Sequence, residues 1–177
     1  MLRGSSGAIA GVALASLVAG SSPAFGKPFE ISPPQYEMLA NRALMQVGSD
    51  LRFTLRSCGK DDNLECRFTS EHVTALVRGQ AQPPRIDRIV LEADLLRDEA
   101  GADPATILTD VVLALGATVV VVDPRLPAEQ RVELLSDLTN TAIDRGHSEA
   151  TGMDAKYAAI FDDAAGGLIR ITVVPAE

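Results

Sequence analysis

The chain has no tryptophan, and only two tyrosines and five phenylalanines in 177 residues. Surfaces that stack nucleobases rely on aromatic faces. So thin a supply argues against a nucleic-acid or carbohydrate platform. Basic side chains are also outnumbered, 16 Lys and Arg against 24 Asp and Glu, for a net charge of −8. Such a balance does not suit the phosphate backbone or anionic lipid, and the excess acid reads as solubility. Histidines are two, His72 and His147, and cysteines are two, Cys58 and Cys66. After residue 26 there is no G-x-S-x-G, and the chain has no H-E-x-x-H, Walker loop or G-x-G-x-x-G. No catalytic residue, metal or cofactor is therefore expected from motif spacing.

What is present begins with an export signal. Met1-Leu2-Arg3 is a short positive start, Ala8 to Gly20 is uncharged and apolar, and Ala24-Phe25-Gly26 places small residues before a cut. The pattern is that of a secretory signal peptide spanning residues 1–26. The apolar stretch is shorter than the roughly 20 residues of a membrane span. Residues 27–177 are then one domain, expected in the periplasm or secreted, with no membrane span once the signal is removed. Only Arg3 is charged in the removed piece, so the rest has a net charge of −9. In an exported chain an even cysteine count suggests a Cys58–Cys66 disulfide. C-x7-C is too wide for the usual zinc pair, which sets aside a metal site of Cys58, Cys66 and His72. Asp61, Asp62, Asn63 and Glu65 lack the glycine and final carboxylate of a calcium loop.

Ser32, Pro33 and Gln35 announce a first helix. Tyr36, Leu39, Ala40, Ala43, Leu44 and Val47 form its apolar stripe, Glu37, Asn41, Arg42 and Gln46 face water, and Gly48 ends it. Period two follows: Leu51, Phe53 and Leu55 alternate with Arg52, Thr54 and Arg56, and Leu64, Cys66 and Phe68 with Glu65, Arg67 and Thr69. Residues 59–63 turn between them. Cys58 has the parity of the arginines, so either a bulge near Ser57 re-aims it or it belongs to the turn. Ser70 to Gly79 fits a strand or a helical turn and is read as a strand or irregular segment. Ile86 to Leu96 is a strand with Ile89, Leu91 and Ala93 on one face, and residues 97–103 are a polar connection.

Ile107 to Val122 (ILTDVVLALGATVVVV) is the longest apolar run after the signal, bracketed by Asp103-Pro104 and Asp123-Pro124. Its spacing predicts a helix from Ala105 to about Val121 with a stripe of Ile107, Val111, Leu115, Val119 and Val122. The alternative breaks it at Gly116 and makes Thr118 to Val122 a strand. A second helix is predicted from Pro127 to Arg145, with Val132, Leu135, Leu138, Thr139 and Ala142 inward and Gly146 past its end. Residues 147–153 read as a polar loop, and Ala155 to Phe161 and Leu168 to Val174 as strands. The sum is an α+β domain: an antiparallel sheet of five to six strands, packed on one face by an N-terminal helix and a central helical hairpin. That order resembles chaperone-like and sensor-like α+β folds that bind other proteins, a resemblance of topology with no residue motif behind it.

Arg52, Arg56, Arg67, Arg88 and Arg170 share the outward parity of their strands. The guanidinium fork suits carboxylates and phosphates. These five residues are the candidate binding surface, for an acidic envelope protein or an anionic envelope polymer. Cross-strand pairing with Glu65, Asp87 and Glu92 is the simpler account of the same charges. The expected function is a non-catalytic exported binding or accessory module. The alternatives are a small exported hydrolase using His147 or Tyr157, and a carrier of an apolar ligand under the hairpin.

Overall fold

The computed structural model describes residues 28–59, 63–95 and 103–177. Residues 1–26, expected to be an export signal, most of the turn at 59–63, and the expected strand end at Leu96 with the connection at 97–102 lie outside the described residues. Seven strands form one antiparallel sheet: β1 Thr54–Cys58, β2 Asn63–Thr69, β3 Thr74–Gln80, β4 Arg85–Asp94, β5 His147–Thr151, β6 Ala155–Asp162 and β7 Leu168–Pro175. The spatial order is β1-β2-β3-β4-β7-β6-β5. Two meanders thus meet at a central seam between β4 and β7. Between β4 and β5 the chain runs through α2 (Pro104–Val122) and α3 (Ala128–Arg145). The helices lie on one sheet face, α2 in the middle, flanked by α1 (Tyr36–Gln46) and α3.

The N-terminal turn closes as its sequence requires. The Ser32 N–H and O–H both donate to Gln35 Oε1, at 2.8 and 3.0 Å. Pro33–Gln35 form a 3-10 turn that leads into α1. Tyr36, Ala40, Ala43 and Leu44 are buried, but Val47 is 68% exposed, so the expected stripe stops one turn early. The Tyr36 ring sits against Phe53 and Phe68, with centroids 5.8 and 5.5 Å away.

Helix α2 continues through Gly116 and the four valines. Its whole expected stripe is buried, and Ala114, Ala117 and Thr118 join it. Among the described residues it is the one helix long and apolar enough to cross a membrane by composition, with mean hydropathy 2.2. The packing accounts for that composition, because α2 has the sheet beneath it and a helix on either side. Intrinsic preference costs a valine under about 0.7 kcal/mol per helical residue. Burying a valine or leucine contributes about 1.5–3 kcal/mol. Burial therefore decides, and helix wins. In α3, Leu134, Leu138, Thr139 and Ala142 are buried, whereas Val132, expected inside, is 68% exposed.

The sheet has one strand more than the five to six expected. The addition is β5, His147–Thr151, in the stretch read as a polar loop. It is an edge strand whose outward side chains are His147, Glu149 and Thr151, so it shows no apolar alternation. The ambiguous segment after Ser70 is β3, with Ala75, Val77 and Gly79 inward. The parity conflict at Cys58 is resolved by a bulge. Register shifts between Leu55 and Ser57, which places Cys58 directly opposite Cys66 as a disulfide, with Cα atoms 4.0 Å apart.

Candidate functional site

No helix among the described residues covers the other sheet face, so its side chains remain accessible. Register fixes three rows across it. The middle row runs Ser57, Arg67, Leu76, Val90, Thr172, Ala158, Glu149. Leu76, Val90 and Ala158 are half-buried there, and Ile160 of the adjacent row is 53% exposed. These side chains form an apolar strip, interrupted by Thr172, on a surface otherwise made of threonine, serine and charged residues.

The charges are unevenly placed. Arg78 of β3 stands directly across from Arg88 of β4. Like charges in that position repel. Glu65 ion-pairs with Arg78. Arg67 lies diagonal to Arg78, opposite Leu76. Neither Arg67 nor Arg88 has an ion-pair partner among the described residues. Arg56, at the bulge, donates from Nε to Thr69 Oγ1 at 2.6 Å. Further along, Arg170 Nε pairs with Glu92 Oε1 at 2.7 Å. In a chain of net charge −8, four arginines, Arg56, Arg67, Arg78 and Arg88, thus share the β1–β4 half of this face with the acids Glu65, Glu92 and Asp94.

Four of the five candidate arginines, Arg56, Arg67, Arg88 and Arg170, are brought onto this face. Arg52 is not. It precedes β1, donates from Nη1 to the Ser49 and Leu51 carbonyls at 2.6 Å each, and lines a depression at the end of the sheet. Arg78, absent from the candidate set, belongs there. The ambiguity of Ser70 to Gly79 hid its parity.

The depression beside Arg52 has a volume of about 570 Å3 and contains His72, Glu71, Thr106 and Asp110. His72 Nδ1 meets Asp110 Oδ2 at 2.7 Å, and the side chains are only 11% and 16% exposed. The tight turn Ser70–Val73, closed by Ser70 N–H donating to Val73 O at 2.8 Å, presents the imidazole. The second turn of α2 presents the carboxylate. A carboxylate on Nδ1 fixes the ring tautomer and leaves Nε2 as the basic nitrogen, the arrangement of an oriented base. Of the hydroxyls lining the depression, Ser49 Oγ accepts the Leu51 N–H at 3.1 Å. Sequence reasoning missed this pair. The available signal was Asp110, the only charge inside the apolar run Ile107 to Val122.

Neither His147 nor Tyr157 resembles an oriented base. His147 is exposed on β5, in a shallow depression with Thr141, Arg145, Ser148 and Glu149. Tyr157 is 2% exposed, and its hydroxyl donates to Asp123 Oδ2 at 3.4 Å. Asp123, fully buried at the end of α2, also accepts the backbone N–H groups of Met153 at 2.9 Å and Asp154 at 3.1 Å. Gly152 is required beside it, because a Cβ there would lie 2.0 Å from Asp123 Oδ2. Arg125 Nε closes the outside of the knot on Asp154 Oδ2 at 2.9 Å. This buried carboxylate is saturated and fastens α2 to the β5–β6 turn. Among the described residues, no group of three or more His, Cys, Asp or Glu is placed to hold a metal ion.

Comparison with protein-family models, with curated proteins and with solved structures gives no match for this chain.

Proposed function

We propose that the protein is an exported, non-catalytic binding module that docks another envelope protein on its open sheet face. One observation carries this reading. The uncovered face joins a half-buried apolar strip, Leu76-Val90-Ala158, to a cluster of arginines that outnumbers its ion-paired carboxylates. An apolar centre with a charged rim is the anatomy of a protein interface. An anionic polymer would use the arginines and leave the strip without a purpose. The partner's chemistry follows: acidic side chains over Arg67 and Arg88, next to aliphatic ones.

The test is capture from a gentle periplasmic extract after photo-crosslinking from position 76. Replacing Arg56, Arg67 and Arg88 together by Ser should remove the crosslinked partner. It should leave thermal unfolding nearly unchanged, as exposed substitutions usually alter stability by less than about 0.5 kcal/mol. Capture should also weaken with added salt. Unchanged capture by the triple variant would refute the arginine half of the surface.

A second reading is favoured by the His72–Asp110 pair alone: a small hydrolase in which His72 activates water. A panel of activated esters assayed with wild type and His72→Gln separates the two. Turnover lost in H72Q would support the enzyme, and equal rates would remove it.

A further inference from the structure

The two edges of the sheet are treated differently. At the β1 edge, Asn41 Oδ1 accepts the Phe53 N–H at 2.8 Å, and Asn41 Nδ2 donates to the Phe53 carbonyl at 2.9 Å. Glu37 Oε2 accepts the Leu55 N–H at 3.3 Å. Helix α1 thus closes that edge with its own side chains. The β5 edge has no such cover among the described residues. Gly146 O accepts the Phe161 N–H at 2.9 Å, and the Gly152 N–H donates to Ala155 O at 2.8 Å. Hydrogen-bonded pairs alternate along an antiparallel ladder. Ser148 and Ala150 therefore turn their backbone toward β6, and His147, Glu149 and Thr151 turn theirs outward. An open row of this kind is a template for another strand.

We propose that this edge is the interface of a two-fold dimer, in which β5 of one copy pairs antiparallel with β5 of a second. Imidazole–carboxylate pairing and the avoidance of glutamate repulsion favour one register. Centring the axis on Ser148 sets His147 of each copy opposite Glu149 of the other, twice. Sliding the axis to Glu149 would instead oppose the two glutamates. The helix layer agrees. Helix α3 packs over both β5 and β6, and strands are about 4.8 Å apart. The two α3 axes then fall about 9–10 Å apart, within the usual range for packed helices. Thr141 and Arg145 flank His147 and Glu149. An axis near Thr141 places Arg145 of one copy opposite Asp137 of the other, a second complementary pair one turn away. The axis is perpendicular to the sheet, so both open faces point the same way and join into one surface. This dimer is independent of what docks on that surface.

Sedimentation of the oxidised protein should give a dimer at high micromolar concentration, dissociating on dilution. Ser148→Cys should form an intermolecular disulfide in air, because residues at this non-hydrogen-bonded axial pair have Cα atoms about 4.5 Å apart. Glu149→Cys should not. Glu149→Lys should weaken the dimer about tenfold, since two cross-strand pairs lose their attraction. The double variant His147→Glu, Glu149→Lys should restore it. Circular dichroism should show all four variants folded. A monomer at every concentration would overturn the proposal. So would an unlinked Ser148→Cys variant or an unweakened Glu149→Lys variant, and a Glu149→Cys crosslink would overturn the register.

Discussion

The contact between Tyr36 and Thr118 offers a test of how α1 is fastened to α2. Both residues have zero exposure, and their hydroxyls are 2.8 Å apart. Thr118 Oγ1 also donates to the Ala114 carbonyl at 2.8 Å, so its proton is already used and the tyrosine must be the donor to Thr118. Tyr36→Phe removes one hydrogen bond but leaves Thr118 satisfied and the ring contacts with Phe53 and Phe68 in place. The expected cost is about 1 kcal/mol. Thr118→Val keeps the shape but strands the Tyr36 hydroxyl without a partner in the core. The expected cost is about 1–3 kcal/mol, the larger of the two. The double variant has no orphan and should be more stable than the sum of the single effects predicts, by about 1 kcal/mol or more. Urea unfolding with a shared slope would measure all four corners. Additive costs, or a Thr118→Val effect smaller than that of Tyr36→Phe, would refute the reasoning. Because Thr118 follows Gly116, the same cycle probes whether the helix continues through the valine run.

Four further outcomes follow from the packing. Burial pushes the hydroxyls of both Tyr36 and Tyr157 well above their ordinary value, with Asp123 adding to the effect at Tyr157. Their raised values contribute stability that is complete below the unfolded tyrosine value of about 10 and is lost as pH rises above it. The chain has only these two tyrosines, so phenolate absorbance should appear together with unfolding; a rise in the folded protein would contradict it. Gly152→Ala forces a methyl onto the Asp123 carboxylate and should cost more than about 2 kcal/mol, read as a fall in the urea midpoint. Replacing Cys58 and Cys66 together by Ala should cost about 2.5 kcal/mol by the loop-entropy account. Calorimetry showing no change in Tm would argue that the β1–β2 hairpin is already fixed without the bridge. Asp123→Ala should destabilise by at least as much as Gly152→Ala, because the buried Tyr157 hydroxyl and the part-buried N–H groups of Met153 and Asp154 lose their acceptor; an effect below about 1 kcal/mol would mean water replaces the carboxylate.

Much of the architecture was legible because burial leaves a period. The α2 stripe from Ile107 to Val122, the inward set Ile89, Leu91 and Ala93, and the terminal strands all follow from alternation or helical spacing. The failures occur where one side of an element meets water. Strand β5 is a solvent-facing edge with polar side chains, so HSEAT reads as loop. Val47 and Val132 are apolar yet exposed, and spacing alone places them inside. Asn41 and Glu37 were expected to face water and instead close the β1 edge, a role that depends on tertiary approach. The bulge between Leu55 and Ser57 is one of the two resolutions that the sequence left open where a disulfide and a parity rule conflicted at Cys58. The His72–Asp110 pair joins segments far apart in sequence, which local reading cannot reach.

The central seam has a kinetic consequence. Within each meander, successive strands are joined by short turns, so their pairing closes small loops. Pairing β4 with β7 instead joins Ile89 to Val173 across the entire α2–α3 hairpin and the second meander. Long closures are entropically slow and govern folding rates more than stability. The seam should therefore be the late, rate-setting event, after both meanders have formed. Val173→Ala would then act mainly on the refolding arm of a chevron, whereas Val77→Ala, inside the first meander, would also slow refolding if that meander is complete in the transition state. A Val173→Ala effect confined to the unfolding arm would place seam closure after the barrier.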